Sequence, residues 1–349
     1  MKSLALLTLL ASSALAQGAE SDHVARNFRF ASGESLAELR LHYTTFGTPR
    51  KDARGVVRNA VLVLHGTGGT GRAFLSANFG GQLFGPGQLL DTAKYYVVLP
   101  DGIGHGRSSK PSDGLHAKFP HYTYDDMVAA HHALLTDGLG VNHLRLIIGT
   151  SMGCMQGWVW GYTYPTFVDG LVPLACAPSA IVGRNRMIRK MLMDNITTSA
   201  DYRNGDYTAP PAGLRASLEM LWLMGSAPLV QHRQAPSRDA ADSTIVAYLD
   251  SRMKLTDAND MLYQFNASRD YDPSPYLEKV SAPVLAINSA DDFVNPPELG
   301  VVERLMPRVA RGKFVLLPIT EQTRGHGTHS LPAVWGGYLR DFLGTLPER

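Results

Sequence analysis

The 349-residue chain contains only two cysteines, Cys154 and Cys176, too few for a disulfide scaffold, so a hydrophobic core has to hold it together. Charge is also scarce: 18% of residues are Asp, Glu, Lys or Arg against 44% hydrophobic, which excludes a disordered polar chain. Neither sign dominates, since 33 basic and 31 acidic residues leave a net charge of +2. No basic run is present, and that argues against a nucleic-acid partner. Past the first residues no apolar run reaches the ~18 needed to span a bilayer. The longest candidate, Leu171 to Val182, is broken by Pro173 and Pro178. Internal repeats and low-complexity tracts are missing as well.

What is present begins with an export signal. Lys2 supplies the positive end, Leu4 to Leu10 the apolar stretch and Ala14-Leu15-Ala16 a small-residue cleavage site, so cleavage after Ala16 and a secreted or periplasmic protein are expected. Both cysteines lie in apolar stretches and are expected as buried free thiols, although an oxidising compartment permits a bridge. Asn195-Ile196-Thr197 and Asn266-Ala267-Ser268 match glycosylation sequons, which matter only in a eukaryotic host.

Residues 23–31 and 36–46 alternate apolar and polar side chains around Ser32-Gly33, as a hairpin does. Short continuous apolar runs follow at Ala60–Leu64, Tyr95–Leu99, Leu144–Ile148, Leu171–Ala175, Val284–Ile287 and Phe314–Leu317. Strands covered by helices on both faces have this composition, so the order predicts a mostly parallel α/β sheet. Thr123-x-x-Asp126 is a capping box for a helix running to about Thr136 and ended by Gly138. Between 178 and 273 strand patterns stop and helical spacing takes over, too long an interval for a connection. A helical cap inserted at 178–273 into a core formed by 17–177 and 274–349 is the expected organisation. Its methionines, Met187, Met191, Met193, Met220 and Met224, are expected chiefly in core packing.

The sharpest chemical signal is Gly-Thr-Ser-Met-Gly at 149–153, between an apolar run and a helix-like segment. Strand, tight turn and helix are the context of a nucleophile elbow, with Ser151 exposed at the sheet edge and the helix N-terminus behind it. A serine nucleophile needs a base and an orienting acid, which in this arrangement follow in the order Ser, acid, His. The acid falls after the run 284–287, where Asp291 and Asp292 compete; Asp292 is preferred for Asp-x-x-x-Pro-Pro (292–297) and Asp291 is read as a turn residue. The base falls after 314–317, where His326, flanked by glycines, is preferred over His329. A metal pair His326-x-x-His329 lacks a third ligand. Backbone amides of Met152 and Thr67, the latter in His65-Gly66-Thr67-Gly68-Gly69, are expected to form the oxyanion hole.

Gly66-x-Gly68-x-x-Gly71 also fits a dinucleotide fingerprint, but the first acid at a strand tip, Asp101, comes ten residues too late for one. Gly153, Gly157 and Gly161 fall on one helix stripe and are read as close packing on the sheet. His105, His116, His121, His131 and His132 are read as ordinary loop or surface residues.

Residues 43–49, 59–70, 85–98, 100–112, 149–156 and 292–298 together resemble the homoserine O-acetyltransferase branch of the α/β-hydrolase superfamily. The resemblance implies an acyl-enzyme on Ser151 served by Asp292 and His326 beneath a helical cap. In that branch the catalytic His is usually followed by an Asp that holds the substrate's ammonium group; here Gly327 stands there. With the export signal, this turns the expectation to an exported serine hydrolase acting on a carboxylic ester or related acyl bond, the alternative being an O-acyltransferase with the same acyl-enzyme. No cofactor or metal is called for, the expected partner is a small acyl substrate, and monomer or homodimer is left open.

Overall fold

The computed structural model describes residues 18–347; the export signal lies outside the described residues. One sheet of eight strands runs through the chain: β1 (Ala19–Arg29), β2 (Ser35–Phe46), β3 (Ala60–Leu64), β4 (Tyr96–Pro100), β5 (Leu146–Thr150), β6 (Leu171–Leu174), β7 (Val284–Ser289) and β8 (Gly312–Leu317). Their spatial order is β1-β2-β4-β3-β5-β6-β7-β8. The hairpin β1–β2 and the pair β2–β4 are antiparallel, and every later pair is parallel. The six apolar runs all became strands; β3 to β7 are buried throughout, as strands covered on both faces are, while β8 at the sheet edge is only partly buried.

Helices cover both faces. The single turn α1 (Gly80–Leu83) and the C-terminal α10 (Pro332–Thr345) pack Phe79, Leu83, Trp335 and Leu339 on one side. On the other, α2 (Tyr124–Ala133) and α3 (Met152–Thr163) pack Met127, Trp158 and Val159. The Thr123 hydroxyl caps the Asp126 amide at 3.3 Å while Asp126 accepts from the Thr123 amide at 2.8 Å, so the capping box forms; the second Asp126 oxygen takes the Ala31 amide and ties the hairpin down.

Between β6 and β7 the chain forms α4 (Gly183–Thr197), α5 (Ala212–Gly225), α6 (Pro228–Gln234), α7 (Arg238–Leu255) and α8 (Ala258–Asn266), called here the cap; the short α9 (Val301–Leu305) follows β7. The cap has a small cluster of its own around Leu192, Leu214, Leu218 and Phe265. Of the five methionines, Met193 and Met220 pack against this cluster as expected, whereas Met187 and Met191 are exposed, because α4 buries only the stripe of Arg189, Leu192 and Ile196. Met224 is buried and faces the site described next. Among the described residues no helix is long and apolar enough to cross a membrane.

Candidate active site

Ser151 sits between the last residue of β5 and the first of α3 with φ at +52°, a left-handed conformation that a side chain adopts only when its surroundings force it. Two glycines supply the force. A Cβ on Gly149 would collide with the Gly153 carbonyl, and one on Gly153 with the Leu64 carbonyl, so strand, turn and helix are in backbone contact. The Ser151 amide donates to the Leu174 carbonyl (2.9 Å), which locks the turn to β6. Gly161 likewise lies against Leu171 and Val280, but Gly157 has nothing within 4 Å, so the close-packing stripe holds at two of its three positions.

The Ser151 hydroxyl lies 2.8 Å from His326 Nε2, and His326 Nδ1 donates to Asp292 Oδ2 at 2.9 Å. Residues from three distant segments thus form one hydrogen-bonded line. Asp292 is fully buried. Burial alone would push its carboxyl up, but the facing His326 ring, Asn295 and the Val294 amide together hold it below the usual range. Its Oδ1 accepts from the Val294 and Asn295 amides (2.7 and 3.2 Å) and its Oδ2 from Asn295 Nδ2 (3.1 Å). Asp291 does more than shape its own turn. Its carboxylate accepts the Gly325 amide at 2.9 Å and the Ser289 hydroxyl, fastening the loop that carries His326. His329 stands edge-on to His326 with ring centroids 5.2 Å apart. Burial, then the neighbouring His326, drives its pKa down to about 3, which keeps it a neutral brace.

The cysteines depart from expectation. Cys154, in the first turn of α3, and Cys176, just past β6, form a disulfide with Cα atoms 6.0 Å apart. The short β5–β6 crossover brings both to one sheet edge, a proximity that 22 residues of separation did not reveal. Asn295 Nδ2 also donates to the Ala175 carbonyl (3.0 Å), and Asn288 Nδ2 to the Cys176 carbonyl (3.2 Å). The bridge therefore links the serine's helix to the acid's loop. Sequence reasoning passed over Asn295, although its place inside Asp-x-x-x-Pro-Pro was the available signal.

Above Ser151 runs the loop 65–69. A Cβ on Gly66 would stand 3.3 Å from Ser151 Cβ, a tight contact that glycine relieves. Among the described residues the amides of Thr67 and Met152 have no acceptor, as an oxyanion pair requires. His65 props the loop, donating from Nδ1 to the Gly66 carbonyl (2.9 Å) and accepting the Gly102 amide at Nε2 (3.0 Å). Asp101 is occupied by the backbone, taking the Gly71 and Arg107 amides at 2.8 Å each, so the glycine motif has a structural acid where a dinucleotide site would have a ribose ligand. His105 and His131 correct the surface reading: both are buried beneath this loop, and desolvation lowers each pKa to about 3. Helix α2 turns His131 inward, which single-sequence periodicity did not reveal.

A cavity of about 250 Å³ opens over Ser151, walled by Phe74, Phe79, Leu221, Met224 and Phe265. Its lining contains no Asp or Glu and one permanent cation, Arg189, only 3% exposed. Arg189 donates to Asn185 Oδ1 (2.8 Å) and Ser268 Oγ (3.1 Å) and lies over the Phe265 ring, and among the described residues no carboxylate pairs with it. Sequence reasoning missed it because an arginine on a helix face ordinarily points to solvent.

The α/β-hydrolase fold family matches residues 59–306. The homoserine O-acetyltransferase of Moorella thermoacetica is 30% identical over 312 residues, covering 76% of this chain and 80% of that protein. In structure, the homoserine O-acetyltransferase from Bacillus anthracis superposes with a TM-score of 0.82 at 19% identity, covering 95% of this chain and 99% of that one. An acetylester hydrolase from Corynebacterium glutamicum superposes with 0.81 at 20% identity, covering 94% and 96%. These two share the fold, whereas the sequence match carries the kinship. The chain belongs to the α/β-hydrolase superfamily, in its homoserine O-acetyltransferase-like branch.

Proposed function

We propose that the protein transfers an acyl group through an ester on Ser151 to a hydroxyl-bearing acceptor that carries a carboxylate. The observation that carries the acyl-enzyme is the Ser151–His326–Asp292 line, whose two hydrogen bonds are 2.8 and 2.9 Å. His326 Nε2 takes the Ser151 proton as Oγ attacks the acyl carbonyl, and Asp292 holds the ring in the tautomer that presents Nε2. The oxygen that gains charge meets the Thr67 and Met152 amides. His326 returns the proton to the departing group as the tetrahedral species collapses. In the second half-reaction it takes a proton from the acceptor hydroxyl as that oxygen attacks the acyl carbon, then gives the proton to Ser151 Oγ as the Oγ–acyl bond breaks, and the new ester leaves.

Transfer is favoured over the hydrolysis first expected by the acyltransferase relatives and by Arg189. A buried guanidinium without a counter-ion costs free energy that a substrate carboxylate offsets, and water as acceptor brings no counter-charge. Hydrolysis is the second reading, supported by Gly327 and a lining without carboxylates, which leave an amino-acid ammonium group uncompensated. The two readings meet in an acceptor that is a hydroxy acid lacking the amine. Export is part of the proposal, supported by the Cys154–Cys176 bridge, since cytosolic thiols stay reduced.

The deciding experiment supplies an activated acetyl ester with homoserine, with 4-hydroxybutyrate, or with neither. O-acetyl product forming at the expense of free acetate, most with 4-hydroxybutyrate, is the expected result. Free acetate alone at saturating acceptor overturns transfer in favour of hydrolysis. Ser151→Ala is expected to lower turnover by a factor on the order of 10⁴ or more. Turnover that survives it removes the acyl-enzyme from both readings.

A further inference from the structure

Of the turn that follows His326, only His329 and Ser330 reach the cavity over Ser151. Gly327 has no side chain, and the Thr328 hydroxyl is turned away to accept the Arg324 amide at 2.8 Å. The His329 ring is held from several sides. Its Nδ1 lies 2.9 Å from the Ser330 hydroxyl, and its edge-on contact with His326 puts the two ring centroids 5.2 Å apart. The indole of Trp335, fully buried in α10, donates to the His329 carbonyl at 3.2 Å and pins the backbone. Among the described residues His329 Nε2 has no partner.

The other uncharged polar side chains of the lining are committed. His65 uses both ring nitrogens on the backbone, and His326 uses both of its own on Asp292 and Ser151. The Thr150 hydroxyl donates to the Leu64 carbonyl at 3.3 Å, and that of Thr67 lies beside the Tyr124 hydroxyl. Spare capacity remains on Arg189 and on the His329–Ser330 pair beside the base. Arg189 carries charge; the pair does not. Burial, then the neighbouring His326, holds the His329 pKa at about 3, so its ring is uncharged near neutral pH. Its Nε2 is a donor if Nδ1 accepts from Ser330, and an acceptor if Nδ1 donates to it. A hydroxyl suits both cases, because it donates and accepts. An ammonium group only donates, and it brings a charge that no Asp or Glu of the lining balances.

We infer that His329, steadied by Ser330, binds an uncharged hydroxyl of the acceptor and so selects a dihydroxy acid over an amino acid. The inference rests on the proposed function for two placements, the reacting hydroxyl at His326 Nε2 and the carboxylate at Arg189. The second hydroxyl then stands at His329, a step between neighbouring rings that two hydroxyls on a short carbon chain bridge. The ligand class is an aliphatic carboxylate with one hydroxyl to be acylated and another close to it. His329 touches the acceptor away from the reacting atoms, so it governs which alcohol is admitted and leaves the acyl-enzyme to Ser151, Asp292 and His326.

The full chain, supplied with an activated acetyl ester, is offered 2,4-dihydroxybutyrate, 4-hydroxybutyrate or homoserine, and kcat/KM for each acceptor is compared. The dihydroxy acid is expected to exceed 4-hydroxybutyrate by about 3- to 10-fold, chiefly through KM, as one neutral hydrogen bond provides, with homoserine lowest. His329→Phe is expected to bring the two hydroxy acids level. His329→Gln is expected to keep part of the preference, since an amide also donates and accepts. A ring that only supported the fold would lower all acceptors alike and leave their ratio standing. Equal values for the two hydroxy acids in the unaltered protein, a preference that survives His329→Phe, or homoserine ranked first overturns the inference. Should His329→Phe fail to fold, Ser330→Ala on the exposed side of the turn decides: a reduced ratio supports the inference and an unchanged one overturns it. Where no acceptor is acylated, the 4-O-acetyl esters of the two hydroxy acids are compared by acetate release, because the departing alcohol occupies the acceptor's place. Hydrolysis with the preference intact removes the proposed transfer and keeps the role of His329; transfer without the preference does the reverse.

Discussion

Every residue of β3 to β7 is buried, whereas the cap leaves Met187, Leu223 and Leu255 in solvent, Leu255 at 75% exposure. The strand, turn and helix that hold Ser151 meet in backbone-to-backbone contacts at Gly149 and Gly153 that admit no side chain. The cap packs a smaller cluster and meets the sheet through polar links such as Asp260 to Ser112. Reacting atoms must be held within tenths of an ångström, while a substrate pocket must differ from one relative to the next. The close-packed region therefore fixes the chemistry, and the loosely packed one sets what is admitted.

The contrast breaks first at its glycines. Gly153→Val drives side-chain atoms into the Leu64 carbonyl and is expected to cost on the order of 4 kcal/mol or to abolish folding. Gly225→Ala, at the end of α5 with open space around it, is expected to be neutral or to stabilise by up to about 1 kcal/mol. Thermal unfolding of the pair is the measurement, and equal losses would erase the distinction. Next in size, Arg189→Met is expected to lower kcat/KM for a carboxylate-bearing acceptor about 10- to 100-fold relative to a neutral alcohol, chiefly through KM. A parallel loss for both acceptors would make Arg189 structural.

The seam between cap and sheet supplies a smaller effect. Burial raises the Asp260 pKa from 3.8 to about 6, against the opposing hydrogen bonds from Ser112. Between about pH 4 and 6 the folded state therefore keeps a proton that the unfolded chain has released, so this group withdraws stability as pH rises and the loss persists above 6. Asp260→Asn has no such proton, and its stability relative to the unaltered protein is expected to rise across that window by on the order of 2 kcal/mol. Identical pH slopes for the two proteins would refute the assignment. Smallest of all, Met187→Lys on the exposed face of α4 is expected to change stability by less than about 0.5 kcal/mol, measured by denaturant unfolding.

Legibility in the sequence follows the same division. Five strands, β3 to β7, could be read because burial on both faces leaves a continuous apolar run, β8 because its half-buried run is still apolar, and Ser151 because its turn needs glycines at fixed positions. His326 was distinguished from His329 by its glycine neighbours, and the structure brings it alone to the serine. Contacts made across the fold left little local trace. The disulfide, the latch from Asp291 to Gly325 and the burial of His105 and His131 depend on how distant segments stack. Arg189 carried no signal at all, since nothing nearby in the chain says that a helix face is roofed.

The staple between residues 154 and 176 has a mechanical consequence. From Ser151 one can travel down α3 to the sulfur bridge, across Ala175 to Asn295, on to Asp292 and through the imidazole back to the starting hydroxyl. The proton path is one arc of a closed ring whose other arc is partly covalent. A wobble at the tip of β6 then carries donor and orienter the same way, and the gap that the imidazole spans keeps its width.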